Sequence, residues 1–305
     1  MLAVVVVNYK NESKTIDFVK REVSKIKSPH VVIIVNNEST EESDLSLALN
    51  LNAKVIHDHE NTELDYSNRF YVLSKLENLG FAKGNNCGVE FANRHFDIDY
   101  LLLSNNDIVF TSEDVVERLI SKLEEMPDIG MIGPAVIGLK GEHQSPEPYY
   151  PFSKRYIWRF WLRPFLSKDL SRKFLNQGFS SEAVEGIHYK IMGSFLVIRN
   201  ADFIACGMMD SNTFLYGEEI ILAERMRTLK KSIYYYPQVS VLHEHSATIS
   251  KFIDKKSKLK LQFESEVYYY KNYKNVSSLL IKVGFISLIT FVSFKELLAR
   301  IRKLN

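Results

Sequence analysis

Four short apolar runs rich in β-branched residues constrain the fold of this 305-residue chain more than any other feature. Each run ends in polar residues or in glycine and proline, and the four are Val4–Val7, Val31–Val35, Leu101–Leu103 and Met131–Ile137. Runs without apolar/polar alternation are typical of strands covered on both faces, and hence of a parallel sheet. Helical patterns at 16–26 and 114–125 lie between them. The sequence therefore predicts an α/β fold with a doubly wound, mostly parallel sheet.

Polar residues directly follow three of these runs. Asn8 follows the first, Asn36 follows the second, and Asn105, Asn106 and Asp107 follow the third. In α/β sheets the carboxyl ends of the strands form the edge where ligands bind. A carboxylate there can hold Mg²⁺ or Mn²⁺ together with the oxygens of a bound diphosphate, or it can simply cap a helix or turn. We expect Asp107 to be a metal ligand and the asparagines to line a bound ligand.

The segment Asn78–Gly88 is rich in glycine and asparagine and directly precedes a helical stretch, Val89–Asn93. Such a turn presents backbone N–H groups at a helix start, where phosphate or ribose oxygens bind. Its glycines are four residues apart, which is not the spacing of the dinucleotide-binding fingerprint. We predict a phosphate-binding turn, with a plain tight turn as the alternative. The polar stretch 58–72 predicts only a loop or an extra hairpin.

An acidic pair, Glu218 and Glu219, opens a predicted helix after Phe214–Gly217. Acids in a first helical turn commonly do no more than interact with the helix dipole. In a closed pocket, however, each carboxylate raises the pKa of the other, toward the value that a general base for a hydroxyl group needs. We predict that Glu219 is the base, with Glu218 beside it.

Two histidines, His243 and His245, follow the predicted strand Val239–Leu242. Alternate residues of an extended strand point to opposite faces, so at most one of them reaches a given site. We predict His243 as a further ligand of the metal or of a diphosphate, with His245 as its substitute. A histidine with a structural role in a loop is the alternative.

Together and in this order, the four motifs resemble glycosyltransferase family 2, especially its rhamnosyltransferase-like and galactofuranosyltransferase-like branch of cell-surface polysaccharide synthesis. The resemblance covers residues 3–250 and is most specific at Asn78–Gly88 and over Met192–Arg225. It implies a GT-A fold, a divalent cation (Mn²⁺ or Mg²⁺) and an inverting mechanism. The implied reaction moves rhamnose or another hexose from a nucleotide diphosphate sugar to a hydroxyl of a saccharide or lipid-linked saccharide.

The resemblance also implies a role for individual residues. Asp107 takes the last position of a DXD-like metal motif, and Glu219 matches the second acid of the family's acidic pair. Where Asn36 stands, the family usually has an aspartate that contacts the nucleobase or ribose. The expected donor-binding residues are Asn8, Asn36, Asn78, Gly80, Phe81, Lys83, Gly84, Asn86, Asn105, Asn106 and Gly193, and the expected acceptor-binding residues are Ser194, Tyr216, Trp158 and Trp161.

A single catalytic domain is predicted over residues 1–250. Its nucleotide-sugar-binding half is 1–137, and its acceptor-binding half is 138–250, with an insertion at 138–190. Residues 251–305 are expected to form a separate helical tail. With only two cysteines in the chain, a disulfide framework is not expected, and a reducing compartment is the simpler interpretation.

Two segments suggest a membrane surface. Basic and aromatic side chains alternate over Arg155–Phe165, and Val276–Phe294 is nearly apolar with basic residues after it. Aromatic rings beside arginine suit the headgroup region of a bilayer, and the apolar segment suits an interfacial helix better than a full span. A buried aromatic cluster and a homodimer interface are the alternatives. We expect a cytoplasmic protein attached peripherally to the inner face of the cell membrane.

Two other functions share part of this pattern. A sugar-nucleotide nucleotidyltransferase has a similar sheet and metal, but it needs a Gly-rich, basic loop after the first strand, which Asn8–Lys14 does not offer. A catalytically inactive saccharide-binding partner of the same fold would have the same sequence motifs but would catalyse no reaction. Nucleic acid is not an expected partner, because no recognised binding module surrounds the aromatic and basic segment.

Overall fold

The computed structural model describes residues 1–57, 66, 68–147, 149–162, 165, 167, 184–244 and 255–301. The chain forms two compact units. The first, larger unit consists of Met1–Glu147 and Phe179–Ser265, and the second consists of Pro148–Gly178 and Glu266–Asn305. Part of the predicted insertion and part of the predicted tail thus belong to one second unit.

One sheet of ten strands forms the centre of the described structure. The strands are β1 (Leu2–Tyr9), β2 (His30–Asn37), β3 (Lys54–Ile56), β4 (Phe70–Lys75), β5 (Tyr100–Ser104), β6 (Ile108–Phe110), β7 (Ile129–Gly138), β8 (Gly186–His188), β9 (Phe195–Arg199) and β10 (Ser232–His243). Their spatial order is β3-β4-β2-β1-β5-β9-β7-β10-β6, and β8 pairs with β10.

The sheet is parallel in one half and mixed in the other. Strands β3, β4, β2, β1 and β5 are parallel neighbours, and β7 is parallel to β10. Strand β9 lies antiparallel between β5 and β7, while β6 and β8 pair antiparallel with β10. The α/β class is confirmed. The residues of β4 and β9 form strands that the sequence pattern did not predict, and β9 makes the sheet mixed.

Nine α-helices are present in the part of the chain that is described. They are α1 (Glu12–Arg21), α2 (Glu41–Leu51), α3 (Gly80–His95), α4 (Val115–Glu124), α5 (Arg159–Leu162), α6 (Asn200–Ala205), α7 (Glu218–Thr228), α8 (Lys255–Tyr273) and α9 (Ser278–Ile301). A 3₁₀ turn covers Val23–Lys25, and a π-helical turn covers Lys154–Trp158. Among these described helices, none combines the length and apolar content that crossing a membrane requires.

Two apolar layers cover the two faces of the sheet. Side chains of a strand alternate between faces, so Val4 and Val6 of β1 belong to one layer and Val5 to the other. The first layer includes buried residues of α1, α2 and α4. The second includes buried residues of α3, α6 and α7. Helices on both faces of the sheet are the doubly wound arrangement that the uninterrupted apolar runs predicted.

Helix α3 begins at Gly80, nine residues before the predicted helical stretch. Residues 80–88 are therefore helical, and the expectation of an open turn with free backbone amides is wrong for most of the segment. A Cβ atom on Gly88 would lie 2.5 Å from Cγ1 of Val5, and one on Gly84 would lie 3.1 Å from Cγ2 of Val7. The glycines allow α3 to pack closely against β1.

Candidate functional site

Asp107 and His243 come together because β6 pairs antiparallel with the end of β10. Asp107 lies in the turn between β5 and β6, and His243 pairs with the next residue, Ile108. Both side chains are buried. Nε2 of His243 is 3.3 Å from Oδ1 of Asp107, and the amide of Glu244 donates to the carbonyl oxygen of Asp107 at 2.9 Å. His245 lies outside the described residues.

Gln144 orients the histidine, and the sequence analysis did not identify it. Its Oε1 lies 2.8 Å from Nδ1 of His243, and its side chain is buried. Its backbone amide donates to the carbonyl of Val136 in β7 at 2.9 Å. When Nδ1 carries the proton and donates to this amide oxygen, Nε2 presents its lone pair toward Asp107.

This pair fits a divalent cation. Two adjacent ligands of an octahedral Mg²⁺-like ion lie ~3.0 Å apart, given ligand distances of about 2.1 Å. The 3.3 Å between Nε2 of His243 and Oδ1 of Asp107 is close to that spacing. Among the described residues, no group of three or more His, Cys, Asp or Glu side chains could hold a metal ion. Asp107 and His243 would supply two ligands to such an ion.

The acidic pair lies at the start of α7, preceded by Tyr216 and Gly217, which both have positive φ angles of 71° and 85°. Glu218 is buried, whereas Glu219 is half-buried. Burial, and to a smaller extent the negative charge of Glu219, raise the pKa of Glu218 to about 8. Oε1 of Glu218 has no hydrogen-bond partner among the described residues. Glu218 is therefore protonated at neutral pH.

Residues 193 and 194 contact both the acidic pair and the turn that contains Asp107. A Cβ atom on Gly193 would lie 2.4 Å from Cγ of Glu219, so a side chain at position 193 would displace Glu219. The carbonyl of Ser194 accepts a hydrogen bond from the amide of Asn105 at 2.9 Å, two residues before Asp107. The hydroxyl of Ser194 is buried, with no hydrogen-bond partner in the described part of the chain. Because β9 runs antiparallel to β5, its first residues lie at the carboxyl end of β5.

The loop before α7 is fixed by Asp210, Arg225 and Asn86. The guanidinium of Arg225 lies 3.1 Å from Oδ2 of Asp210 and donates to the carbonyls of Gly207 and Met208 at 2.6 and 3.0 Å. The amide of Asn86 forms paired hydrogen bonds with the backbone of Met209, at 2.8 and 3.1 Å. Asn86, expected to contact the donor, uses both ends of its amide to hold this loop.

The first residues of α3 also contact this loop. The amide of Phe81 donates to the carbonyl of Phe214 at 3.1 Å, and a Cβ atom on Gly80 would lie 2.3 Å from that same oxygen. Oδ1 of Asn78 accepts from the amide of Gly80 at 3.0 Å. Lys83 is exposed on α3. These contacts place the predicted donor segment beside the loop that leads to the acidic pair.

Asn8 and Asn36 lie in a buried network at the ends of β1 and β2. Asn8 donates to Oδ1 of Asn36 at 2.7 Å, and Asn36 donates to Oδ1 of Asp44 at 2.7 Å. Thr15 donates to Asn8 and accepts from Asn106, at 2.7 and 2.8 Å. Asp44, which the sequence analysis missed, places a carboxylate one hydrogen bond away from Asn36. The predicted contacts of Asn8, Asn36 and Asn106 with a donor stay predictions.

The four predicted acceptor-binding residues are divided between the two units. Ser194 and Tyr216 belong to the first unit, together with the acidic pair, and Trp158 and Trp161 belong to the second. The two tryptophans are 47% and 46% exposed. Their predicted acceptor role stays a prediction.

Known proteins resemble the chain at the level of sequence. The sequence model of Glycosyl transferase family 2 matches residues 4–181. The low-salt glycan biosynthesis hexosyltransferase Agl10 of Haloferax volcanii is 22% identical over 253 residues, which are 82% of this chain and 69% of that protein. The rhamnosyltransferase WbbL of Escherichia coli K12 is 23% identical over 231 residues, 70% of this chain and 83% of that protein.

Solved structures share the fold at lower sequence identity. The crystal structure of GalNAc-T7 with UDP, GalNAc and Mn²⁺ has a TM-score of 0.56 and 13% identity, covering 90% of this chain and 49% of the other. This chain thus spans about half the length of that protein. The mannosyltransferase PcManGT from Pyrobaculum calidifontis, in complex with GDP-Man and Mn²⁺, has a TM-score of 0.53 and 10% identity, covering 99% and 79%. These likenesses show a GT-A-like fold.

Because the family match covers more than half of the chain, this protein belongs to glycosyl transferase family 2.

Proposed function

We propose that this protein transfers a hexose, such as rhamnose, from a nucleotide diphosphate sugar to a saccharide hydroxyl, with inversion and with a divalent cation. Two relatives are named as a hexosyltransferase and a rhamnosyltransferase, and two structures of similar fold contain a nucleotide or nucleotide sugar with Mn²⁺. The observation that carries the proposal is that Gly193 lies against Glu219, while the next residue, Ser194, accepts a hydrogen bond from Asn105, two residues before Asp107.

The donor side of the reaction belongs to Asp107 and His243. These residues would hold the cation, with Gln144 fixing the imidazole so that Nε2 faces the carboxylate. A bound divalent cation neutralises negative charge on the leaving diphosphate. Asn105 and Gly193 line the same region and are proposed to contact the donor.

The acceptor side belongs to Glu219. Its carboxylate takes the proton of the acceptor hydroxyl while the hydroxyl oxygen bonds to the anomeric carbon. The bond from that carbon to the diphosphate oxygen breaks, and its electron pair leaves with the diphosphate. A single displacement of this kind inverts the anomeric centre. Glu218 is protonated at neutral pH because of its raised pKa, so it serves as a hydrogen-bond donor and leaves the proton transfer to Glu219.

The acceptor is proposed to be a lipid-linked saccharide in cell-surface polysaccharide synthesis. The named roles of the relatives, in glycan biosynthesis and rhamnosyl transfer, support a saccharide acceptor. Ser194 and Tyr216 are the proposed acceptor contacts on the first unit, because both lie next to the residues that flank the proton-accepting carboxylate.

A donor panel tests the proposal. The full chain is incubated with UDP, dTDP and GDP sugars and Mn²⁺, with a mixture of saccharide and lipid-linked acceptors, and the released nucleotide and the product are identified. Release of a nucleoside diphosphate with formation of an inverted glycoside is expected. Pyrophosphate release would instead mark a nucleotidyltransferase. Binding of saccharide without release of any nucleotide across the panel would identify the protein as an inactive saccharide-binding partner of the same fold.

A further inference from the structure

Helix α9 exposes an apolar face along most of its length. Between Ser278 and Phe294 its only charged residue is Lys282. Side chains at helical spacing are exposed on one side, with exposed fractions of 73% for Leu279, 63% for Ile286, 48% for Ile289 and 53% for Phe294. A contiguous apolar surface of this kind on a folded protein marks an interaction site.

The opposite side of α9 is packed within the second unit. A Cβ atom on Gly284 would lie 2.6 Å from the ring of Phe152, so the helix can approach this ring only through glycine. The buried hydroxyl of Ser287 accepts a hydrogen bond from Nε1 of Trp161 at 2.8 Å. These contacts fix the rotation of α9 about its axis, and the apolar side chains therefore stay exposed.

Two amphipathic rings accompany this face in the same unit. Trp158 and Trp161 are each nearly half exposed, and the hydrogen bond to Ser287 holds the ring of Trp161 in place. Tryptophan prefers the boundary between water and lipid, because its ring is apolar and its N–H is polar.

The two units differ sharply in net charge. The second unit, Pro148–Gly178 and Glu266–Asn305, carries fourteen Lys and Arg residues against three Asp and Glu residues. The net charge of the second unit is therefore +11. Because the whole chain has a net charge of +2, the rest of the chain has a net charge of −9. No acidic residue occurs between Glu266 and Glu296, the stretch that contains the exposed apolar side chains.

We propose that this face of α9, together with Trp158 and Trp161, docks on an anionic phospholipid bilayer surface. The apolar side chains enter the boundary between headgroups and acyl chains, and the net positive charge of the second unit attracts the lipid phosphates. Lys282 lies within the face, but its long apolar stem lets its ammonium reach the headgroups. A second copy of the chain fits the face less well, because it would bring two units of +11 together.

Vesicle co-sedimentation tests the proposal with the full chain and with neither donor nor acceptor present, so the result is independent of the proposed transfer reaction. Vesicles of phosphatidylcholine alone are compared with vesicles that also contain phosphatidylglycerol. The test variant is Ile286→Ser/Ile289→Ser, and the matched control is Leu45→Ser/Leu49→Ser, which changes two exposed apolar residues of α2.

We expect binding to the anionic vesicles, weak binding to the neutral ones, and weakening by high salt. The Ile286/Ile289 variant should bind about tenfold or more weakly, and the Leu45/Leu49 variant should bind like the unchanged protein. Equal binding to both vesicle types, or equal losses in the two variants, would overturn the proposal. So would a dimer in sedimentation velocity that the Ile286/Ile289 variant dissociates while no vesicle binding is seen.

Discussion

At the scale of single residues, Asp107 and Glu219 carry the two halves of the proposed reaction. Asp107→Ala removes the proposed cation ligand, and Glu219→Gln removes the proposed acceptor of the hydroxyl proton. Each change is expected to lower kcat by about 10²-fold or more, the usual effect of losing an acid–base or charge-stabilising group. Steady-state turnover on the best donor of the panel measures this.

Matched controls for these two variants are exposed acids elsewhere in the first unit. Asp97→Ala and Glu90→Gln change residues on the surface, and they should leave kcat within about twofold, since surface substitutions are usually near neutral. Near-normal turnover of Glu219→Gln would remove Glu219 from the role of base, and the same result for Asp107→Ala would remove the carboxylate from the metal site.

We propose Gln144 as a positioning residue, because its side chain acts on the proposed cation site through His243. Gln144→Leu keeps similar volume but loses the acceptor that holds the proton on Nδ1. Mn²⁺ affinity should fall about 10–100-fold, the typical effect of losing such a partner, while kcat at saturating Mn²⁺ changes little. Activity titrated against Mn²⁺ separates the two quantities.

The control for this change is Gln238→Leu, an exposed glutamine on β10. It should leave the Mn²⁺ dependence unchanged. The opposite result would be a lower kcat at saturating Mn²⁺ with an unchanged Mn²⁺ concentration for half-maximal activity. It would show that Gln144 does not act through the cation.

Glu218 should make stability depend on pH. Its pKa is raised from the ordinary 4.5 to about 8, mainly by burial, so the folded chain keeps a proton that the unfolded chain has released. The stabilisation from this proton is full below about pH 4.5 and is lost as pH rises through about 8. The free energy of unfolding should fall by at most ~1.4 kcal/mol per pH unit in that window because of this group.

Urea unfolding between pH 5 and pH 8 tests this. Glu218→Gln stays neutral, so its stability relative to the unchanged protein should increase with pH. Parallel pH profiles of the two proteins would contradict the assigned pKa shift.

At the scale of secondary-structure elements, the contact of α3 with β1 depends on glycine. Gly88→Ala places a methyl group 2.5 Å from Cγ1 of Val5. The strain of overpacking, about 1–3 kcal/mol, should exceed the gain of up to ~1 kcal/mol in helix propensity. A net loss in the free energy of unfolding, measured with urea, is expected.

Gly84→Ala on the same helix is the internal comparison. Its new methyl group would lie 3.1 Å from Val7, which is a less severe steric overlap than at position 88. The gain in helix propensity from glycine to alanine is the same at both positions. Gly88→Ala should therefore be the more destabilising of the two, and equal stability of both variants would argue against close packing as the reason for glycine at position 88.

At the scale of the whole molecule, the second unit has its own buried ion pair. Arg155 and Glu266 pair directly, and the hydroxyl of Tyr156 donates to Glu266 at 2.5 Å. Glu266→Gln would leave the largely buried Arg155 charge without its counter-ion, which should cost about 3 kcal/mol of unfolding free energy. Thermal and urea unfolding of the full chain measure the loss.

Glu264→Gln, two residues earlier on α8, is the matched control. Its carboxylate is exposed and lies 3.8 Å from Lys260. A surface pair of this kind contributes at most ~0.5 kcal/mol. Similar losses for both variants would mean that the Arg155–Glu266 pair is not buried in solution as it is in this structure.

Local patterns in the sequence determined much of the first unit. The apolar runs predicted β1, β2, β5 and β7, because a strand covered on both faces must be apolar throughout. The polar strand ends and the acidic pair made Asp107 and Glu219 candidates, because their residue types and positions in the chain can be read without knowing any contact; their roles stay predictions.

Other features were decided only by the tertiary structure. Gln144 joins the site through His243, which is 99 residues away in sequence. Asp44 joins it through Asn36, at the end of the preceding strand. Nothing in the local sequence of either residue marks it. Helix α3 extends back to Gly80 because its glycines face β1, so packing against the sheet outweighs their poor helix propensity. The sequence alone could not separate the second unit and its charge of +11 from the rest of the chain, because two distant segments form it.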